Sequence, residues 1–149
     1  MKFVAHALRI LLGLDFLLNA INFYHPFFHI TVPANEAARA LMGGMLQSGV
    51  FELVKAIEIT AGFLLLVNRF VPLALMMVAP LTVVIFIVDC VLIATPEGFA
   101  FGGTTTVLVI LVLIAYLKHF LGLLAFRADP ATPSIAELAA AIAAPPEVA

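Results

Sequence analysis

The sequence predicts an all-α membrane protein, a four-transmembrane-helix bundle with a short interfacial helix and a short C-terminal tail helix. Three observations carry that expectation. Four long apolar stretches, residues 3–24, 51–67, 71–94 and 104–124, fill most of the 149-residue chain. Hydrophobic residues make up 64% of the chain and charged residues 11%, with a mean hydropathy of +1.21. A soluble domain is roughly half apolar and a quarter charged, so a soluble reading is excluded. Hydrocarbon cannot solvate backbone amides, which makes each stretch a helix, and four of them leave no room for a separate soluble domain. Residues 1–127 form the expected membrane domain and 128–149 an Ala/Pro-rich cytoplasmic tail.

The first stretch follows Met1-Lys2 and has the basic start of a secretory signal. It runs about 22 residues against about 7–15 for a signal core, Asp15 interrupts it, and no small-x-small cleavage site precedes Asn22, so it is expected to be a retained helix. His25-Pro26 ends it, because proline lacks a backbone donor and restricts the residue before it. Residues 25–49 then connect outside the membrane. Within them, Asn35 to Leu46 places Ala38, Leu41, Met42 and Met45 at helical spacing, the pattern of a short helix lying at the interface. The second stretch ends at Asn68-Arg69, a tight turn before Pro72, which makes the second and third helices antiparallel neighbours. Pro80 is expected to kink the third. Thr95-Pro96-Glu97-Gly98 is expected to end that helix, and Gly102-Gly103-Thr104-Thr105-Thr106 to start the fourth. After Arg127, Ser134 is placed to cap a short helix reaching about Ala144, before Pro145-Pro146.

Cytoplasmic flanks are enriched in Lys and Arg. Lys2, Arg9, Arg69, Lys118 and Arg127 lie toward the side of the termini. Arg39 and Lys55 lie toward the other, with Glu36, Glu52 and Glu97. Both termini are therefore expected in the cytoplasm, with residues 25–49 and 95–103 outside.

Ionisable residues inside the apolar runs are the candidate functional groups. Asp15, Asn19 and Asn22 are spaced by four and three and share one helix face. Glu52, Lys55 and Glu58 repeat every third residue, and Asp89 adds an acid from the outer half of the third helix. At about 1.5 Å per residue, Asp15 and Glu58 fall near the midplane, with Lys55 and Asn19 roughly 6–8 Å outward. Each central charge costs about 2.5–3.5 kcal/mol on insertion scales, while a Leu, Ile, Phe or Val returns about 0.3–0.6. The second helix is marginal alone and must be held by its neighbours. Arg9 stands off the Asp15 face and can reach the headgroups or turn inward toward Glu58. Asp15, Glu58 and Asp89 outnumber Lys55, so Asp15 or Glu58 is expected to hold a proton at neutral pH. Three readings of this polar network stay open: a static lock on helix register, a proton- or ligand-handling site, and polar contacts to another subunit.

Other chemistry finds little support. The formal net charge of −2 gives no basic patch for nucleic acid. Cys90 is the single cysteine, so the chain can form neither an internal disulfide nor a CxxC pair. His25 and His29 have i, i+4 spacing, but Pro26 breaks the helix that spacing needs, and no metal is expected. His6 and His119 near the cytoplasmic ends could flank a haem, with no supporting pattern.

The order of features resembles the DoxX family of small four-helix bacterial membrane proteins. The matching residues are Arg9 with Leu12-Gly13, Ser48-Gly49, Lys55-Ala56-Ile57-Glu58 leading to Gly62-Phe63-Leu64-Leu65-Leu66, Pro72-Leu73-Ala74-Leu75 and Ala79-Pro80, over roughly residues 4–124. The family pattern has Asn and His in the second half of the third helix, where this chain has Val84 and Asp89. The resemblance implies a bacterial cytoplasmic membrane location and an internal network through Arg9, Lys55 and Glu58. It also implies an accessory subunit or assembly partner of a redox or quinone-linked membrane complex, in contact with other subunits or with copies of itself. The alternative is a quinone- or lipophilic-ligand-binding oxidoreductase or carrier, with Asp15, Lys55 and Glu58 lining a pocket that exchanges a proton. No nucleophile–base pair or phosphate loop is present, which favours the accessory role over an enzyme.

Overall fold

The computed structural model describes residues 2–27, 35–124 and 132–143. Among these, every regular element is a helix. Helix α1 spans Lys2–Tyr24, α2 Glu36–Gln47 and α3 Val50–Leu66. Helix α4 spans Val71–Ile93 and α5 Pro96–Ala115. Each of these two contains a π-helical stretch, Ile87–Ile93 and Phe99–Gly103 respectively. A 3-10 segment, Leu117–Leu124, follows α5, and α6, Ile135–Ala143, forms the tail.

Helices α1, α4 and α5 are long and apolar enough to cross a membrane. The expectation of four such helices is met only in part. Helix α3 has 17 residues, about 25 Å at about 1.5 Å per residue, somewhat short of a hydrocarbon core about 30 Å thick. It also carries Glu52, Lys55 and Glu58. It nevertheless belongs to the same core: Leu12 and Phe16 of α1, Ala61 and Leu65 of α3, Ala74, Leu75 and Val78 of α4, and Val109 and Val112 of α5 pack together.

The tightest packing joins α1 to α3, and glycines make it possible. A Cβ on Gly13 would lie 3.0 Å from the Gly62 carbonyl oxygen, and one on Gly62 would lie 3.0 Å from the Gly13 carbonyl oxygen. The backbones therefore meet directly, as small residues permit between membrane helices. Arg9 meets Leu65, Gly13 meets Gly62, and Phe23 stacks on Phe51 at 5.3 Å. That order makes α1 and α3 antiparallel. The turn from α3 to α4 places Asn68 and Phe70 at φ of 56° and 51°. Its shortness makes α3 and α4 a helical hairpin, as the sequence predicts.

The boundary between the last two long helices differs from expectation. Residues 95–103 are not a loop, and the last long helix is not 104–124. The chain reverses within Ala94, at φ 51°, and Thr95, which is extended. The Thr95 side chain then accepts from the Gly98 amide at 3.2 Å, and Pro96 occupies the first turn, where its missing donor is harmless. Thr95-Pro96-Glu97-Gly98 thus opens a helix. At the other end α5 stops at Ala115, and the chain tightens into the 3-10 segment from Leu117.

Two short helices complete the description. Asn35 caps α2, its side chain accepting from the Ala37 amide at 2.8 Å. In α6, Ser134 Oγ accepts from the Glu137 amide at 3.2 Å, while Glu137 Oε2 accepts from the Ser134 amide at 2.7 Å. This reciprocal capping box starts the tail helix where the sequence places it. Helix α6 buries none of its residues.

Candidate functional site

Helix α3 turns one face inward: Lys55, Glu58, Ala61, Gly62 and Leu65 are its buried residues, at spacings of three, three, one and three. The same stripe that packs on α1 therefore carries two charges into the interior. They meet each other. Lys55 Nζ lies 2.7 Å from Glu58 Oε2, with the side chains 11% and 2% exposed. The Lys55 ammonium also sits 5.6 Å from the centre of the Phe51 ring, a cation–π arrangement.

Helices α1 and α5 add the next layer. Asp15 is half-buried and its Oδ2 accepts from Thr105 Oγ1 at 2.6 Å. Asp15 lies within Coulombic range of Glu58, and Asp89 within range of Lys55. Asp89 stands in the π-helical stretch of α4, facing the π-helical stretch of α5. A Cβ on Gly102 would come within 2.6 Å of the Asp89 Cβ, so the bare backbone at Gly102 makes room for this acid. A Cβ on Gly98 would strike the Asp89 carbonyl.

These groups end at a cavity of about 180 Å³. Lys55, Glu58, Asp89, Asn19, Thr95 and Thr105 form its polar lining, and Glu97 stands exposed at its edge. The apolar wall comes from Phe23, Phe51, Val84, Val88 and Phe101. Met42 and Met45 of α2 add to the lining, so α2 covers this end of the bundle.

Of the six sequence-predicted site residues, Asn19, Lys55, Glu58 and Asp89 line the cavity, and Asp15 stands beside it through Thr105. Arg9 does not join them. It is 4% exposed, and its guanidinium donates to the carbonyl oxygens of Leu65 and, at 3.3 Å, Leu66. These are C-terminal carbonyls of α3, which have no intrahelical partner, so Arg9 caps that helix at the far end from the cavity. Its Nε has no hydrogen-bond partner among the described residues. Asn22 also departs from the spine: its side-chain oxygen accepts from the Phe27 amide at 2.9 Å and closes the end of α1.

The structure adds groups that sequence reasoning did not single out. In the sequence pattern Gly102 and Thr105 stand only as parts of a helix start, and Gly98 as part of a helix end. A signal existed in their spacing: Gly98, Gly102, Thr105, Val109 and Val112 follow one helical stripe once the helix is begun at Pro96. His6, His25 and His119 are exposed, and His29 lies outside the described residues. Among the described residues no group of three His, Cys, Asp or Glu is placed to hold a metal ion. No family model, no curated protein and no solved structure matches this chain.

Proposed function

We propose that this chain is a DoxX-like integral membrane protein of a bacterial cytoplasmic membrane, crossing it four times with both termini cytoplasmic. In this reading its cavity binds a small lipophilic ligand, with a quinone among the candidate classes. The observation that carries the reading is the cavity itself. Charged side chains among apolar helices are costly and mark functional sites. Here Lys55, Glu58 and Asp89 gather at one end of an apolar-walled space of about 180 Å³. That volume is below the roughly 300 Å³ of a drug-sized site, and it suits a head group with the first part of an apolar body.

The outward faces support the membrane setting. Leu11, Leu14, Leu18 and Ile21 of α1, and Val107, Ile110 and Ile114 of α5, are all exposed, far more apolar surface than a soluble monomer tolerates. Helix α3 crosses as the inner member, its charges turned toward its neighbours. The exposed face of α4, with Leu73, Met76, Val83 and Phe86, fits a neighbouring subunit as well as lipid. It favours a second reading, in which the chain is an accessory subunit or assembly partner of a redox or quinone-linked complex.

Gentle detergent extraction of the tagged protein at native level tests both, with native mass measurement and mass spectrometry of the organic extract. A stoichiometric lipophilic molecule that disappears in a Val88→Phe variant, which fills the cavity, supports the ligand reading. A larger complex of fixed composition whose assembly is unaffected by Val88→Phe, with no such molecule, overturns it in favour of the accessory role.

A further inference from the structure

The cavity holds more carboxyls than cations. Glu58 and Asp89 line it, Glu97 stands at its edge, and Asp15 lies behind Thr105. Lys55 is the one cation among the lining residues. Its ammonium is committed to Glu58, the one ion pair found among the described residues.

Lys55 also demonstrates how this cavity treats a cation. Its ammonium is held by a carboxylate on one side and by the face of Phe51 on another. Phe23 backs that ring, stacked at 5.3 Å and 12°. Asp89 repeats the carboxylate half of the arrangement on the opposite helix, seated against Gly102, with Phe101 in the lining nearby. Among the described residues no second side-chain cation lines the cavity to complete it. A ligand head of negative charge would meet carboxylates, and a neutral head would leave Asp89 with only Lys55, already paired with Glu58, to offset it. An ammonium would be received by carboxylate and ring face, as Lys55 is.

Resting on the reading of the cavity as a ligand site, we infer that the ligand is a lipophilic organic cation. Its ammonium head lies beside Asp89 and its apolar body lies along Val84, Val88 and Phe101. Glu97 at the edge draws the cation in, and the Met42 and Met45 side chains of α2, unbranched and polarizable, adapt to the body behind it.

The test uses the full chain in nanodiscs of zwitterionic lipid, titrated by calorimetry against empty nanodiscs. Three probes share one chain length: decyltrimethylammonium, a decyl-substituted quinone and decanoate. The expected result is saturable binding of decyltrimethylammonium at one per chain, weakened about tenfold or more by Asp89→Asn and abolished by Val88→Phe. Glu97→Gln weakens it less, since Glu97 is exposed to solvent screening. Should Asp89→Asn fail to fold, Glu97→Gln and Val88→Phe carry the test. Saturable binding of the quinone or decanoate in place of the ammonium overturns the cationic head and leaves the ligand cavity standing. Binding of none of the three overturns both. Ammonium binding indifferent to Asp89→Asn and Val88→Phe places it elsewhere on the protein and also overturns the inference.

Discussion

Replacing Lys55 with methionine removes the ammonium while keeping most of the side-chain volume, and it isolates Glu58. That carboxylate is 2% exposed. Its attractive partner is Lys55, and the other charge it feels is Asp15, of like sign. Breaking a buried pair from one side costs about 3–5 kcal/mol, or two to more than three decades in the folding equilibrium at about 1.4 kcal/mol per decade. Glu58→Gln should cost less, about 1–3 kcal/mol. The reason is that Lys55 retains Asp89 within Coulombic range, and the glutamine can still accept a hydrogen bond from it. Removing both charges, as Lys55→Met with Glu58→Leu, should return the protein to within about 1 kcal/mol of the parent or make it more stable, because neither charge is then left buried alone. The chain has no tryptophan, so the measurement is far-ultraviolet circular dichroism during reversible SDS titration in mixed micelles. The reasoning fails if Lys55→Met falls within about 0.5 kcal/mol of the parent, if Glu58→Gln is the more damaging change, or if the double variant is less stable than either single one.

Three further outcomes are expected. Gly62→Ala places a Cβ 3.0 Å from the Gly13 carbonyl oxygen and should cost about 1–3 kcal/mol in the same titration, whereas Gly43→Ala, with nothing within 4 Å of its Cβ, should be neutral or stabilise by up to about 1 kcal/mol. Arg9→Met removes the single guanidinium nitrogen that donates to both carbonyls, so hydrogen exchange of the Val67–Arg69 amides should quicken by about tenfold while the cavity residues stay protected. Glu137 is held below its usual carboxylate range of about 4.5 by its hydrogen bonds from Ser134. Its contribution to α6 is therefore present above that range and lost as pH falls through the lowered value. NMR shifts of residues 135–143 should report fraying only on the acid side, and Glu137→Ala should abolish the pH dependence.

The elements that rest on local chemistry were legible in the sequence. Proline after His25, the Asn68 turn and the Ser134 cap each act within a few residues, and each lies where local rules place it. Lys55 and Glu58 were legible as interior groups because charge stands out against an apolar background. The opening of α5 was not, because Thr-Pro-Glu-Gly and Gly-Gly carry the same punctuation whether they end a helix or begin one. What decides between them is the Thr95 cap and the fit of Gly98 and Gly102 against Asp89, a contact between helices that no local pattern records. Arg9 shows the same boundary. The sequence leaves it either at the headgroups or turned inward toward Glu58; it is buried, but its partners are the carbonyls of Leu65 and Leu66, and backbone acceptors have no residue signature.

The facing π-helical stretches Ile87–Ile93 and Phe99–Gly103 bear on how the chain can change over time. A π turn holds one residue more than the α-helix around it, so each stretch amounts to an insertion absorbed without breaking the helix. Deleting a single residue there would let an ordinary helix form while the chain beyond keeps its place, because the extra residue is taken up within the π turn itself. What moves is the turn, and in α4 the turn carries Asp89, so a deletion would re-seat that acid against Gly102 and leave the Pro80 half and the shared core untouched. The polar end can thus be re-aimed by insertion and deletion local to these stretches, while the helix on either side stays in register.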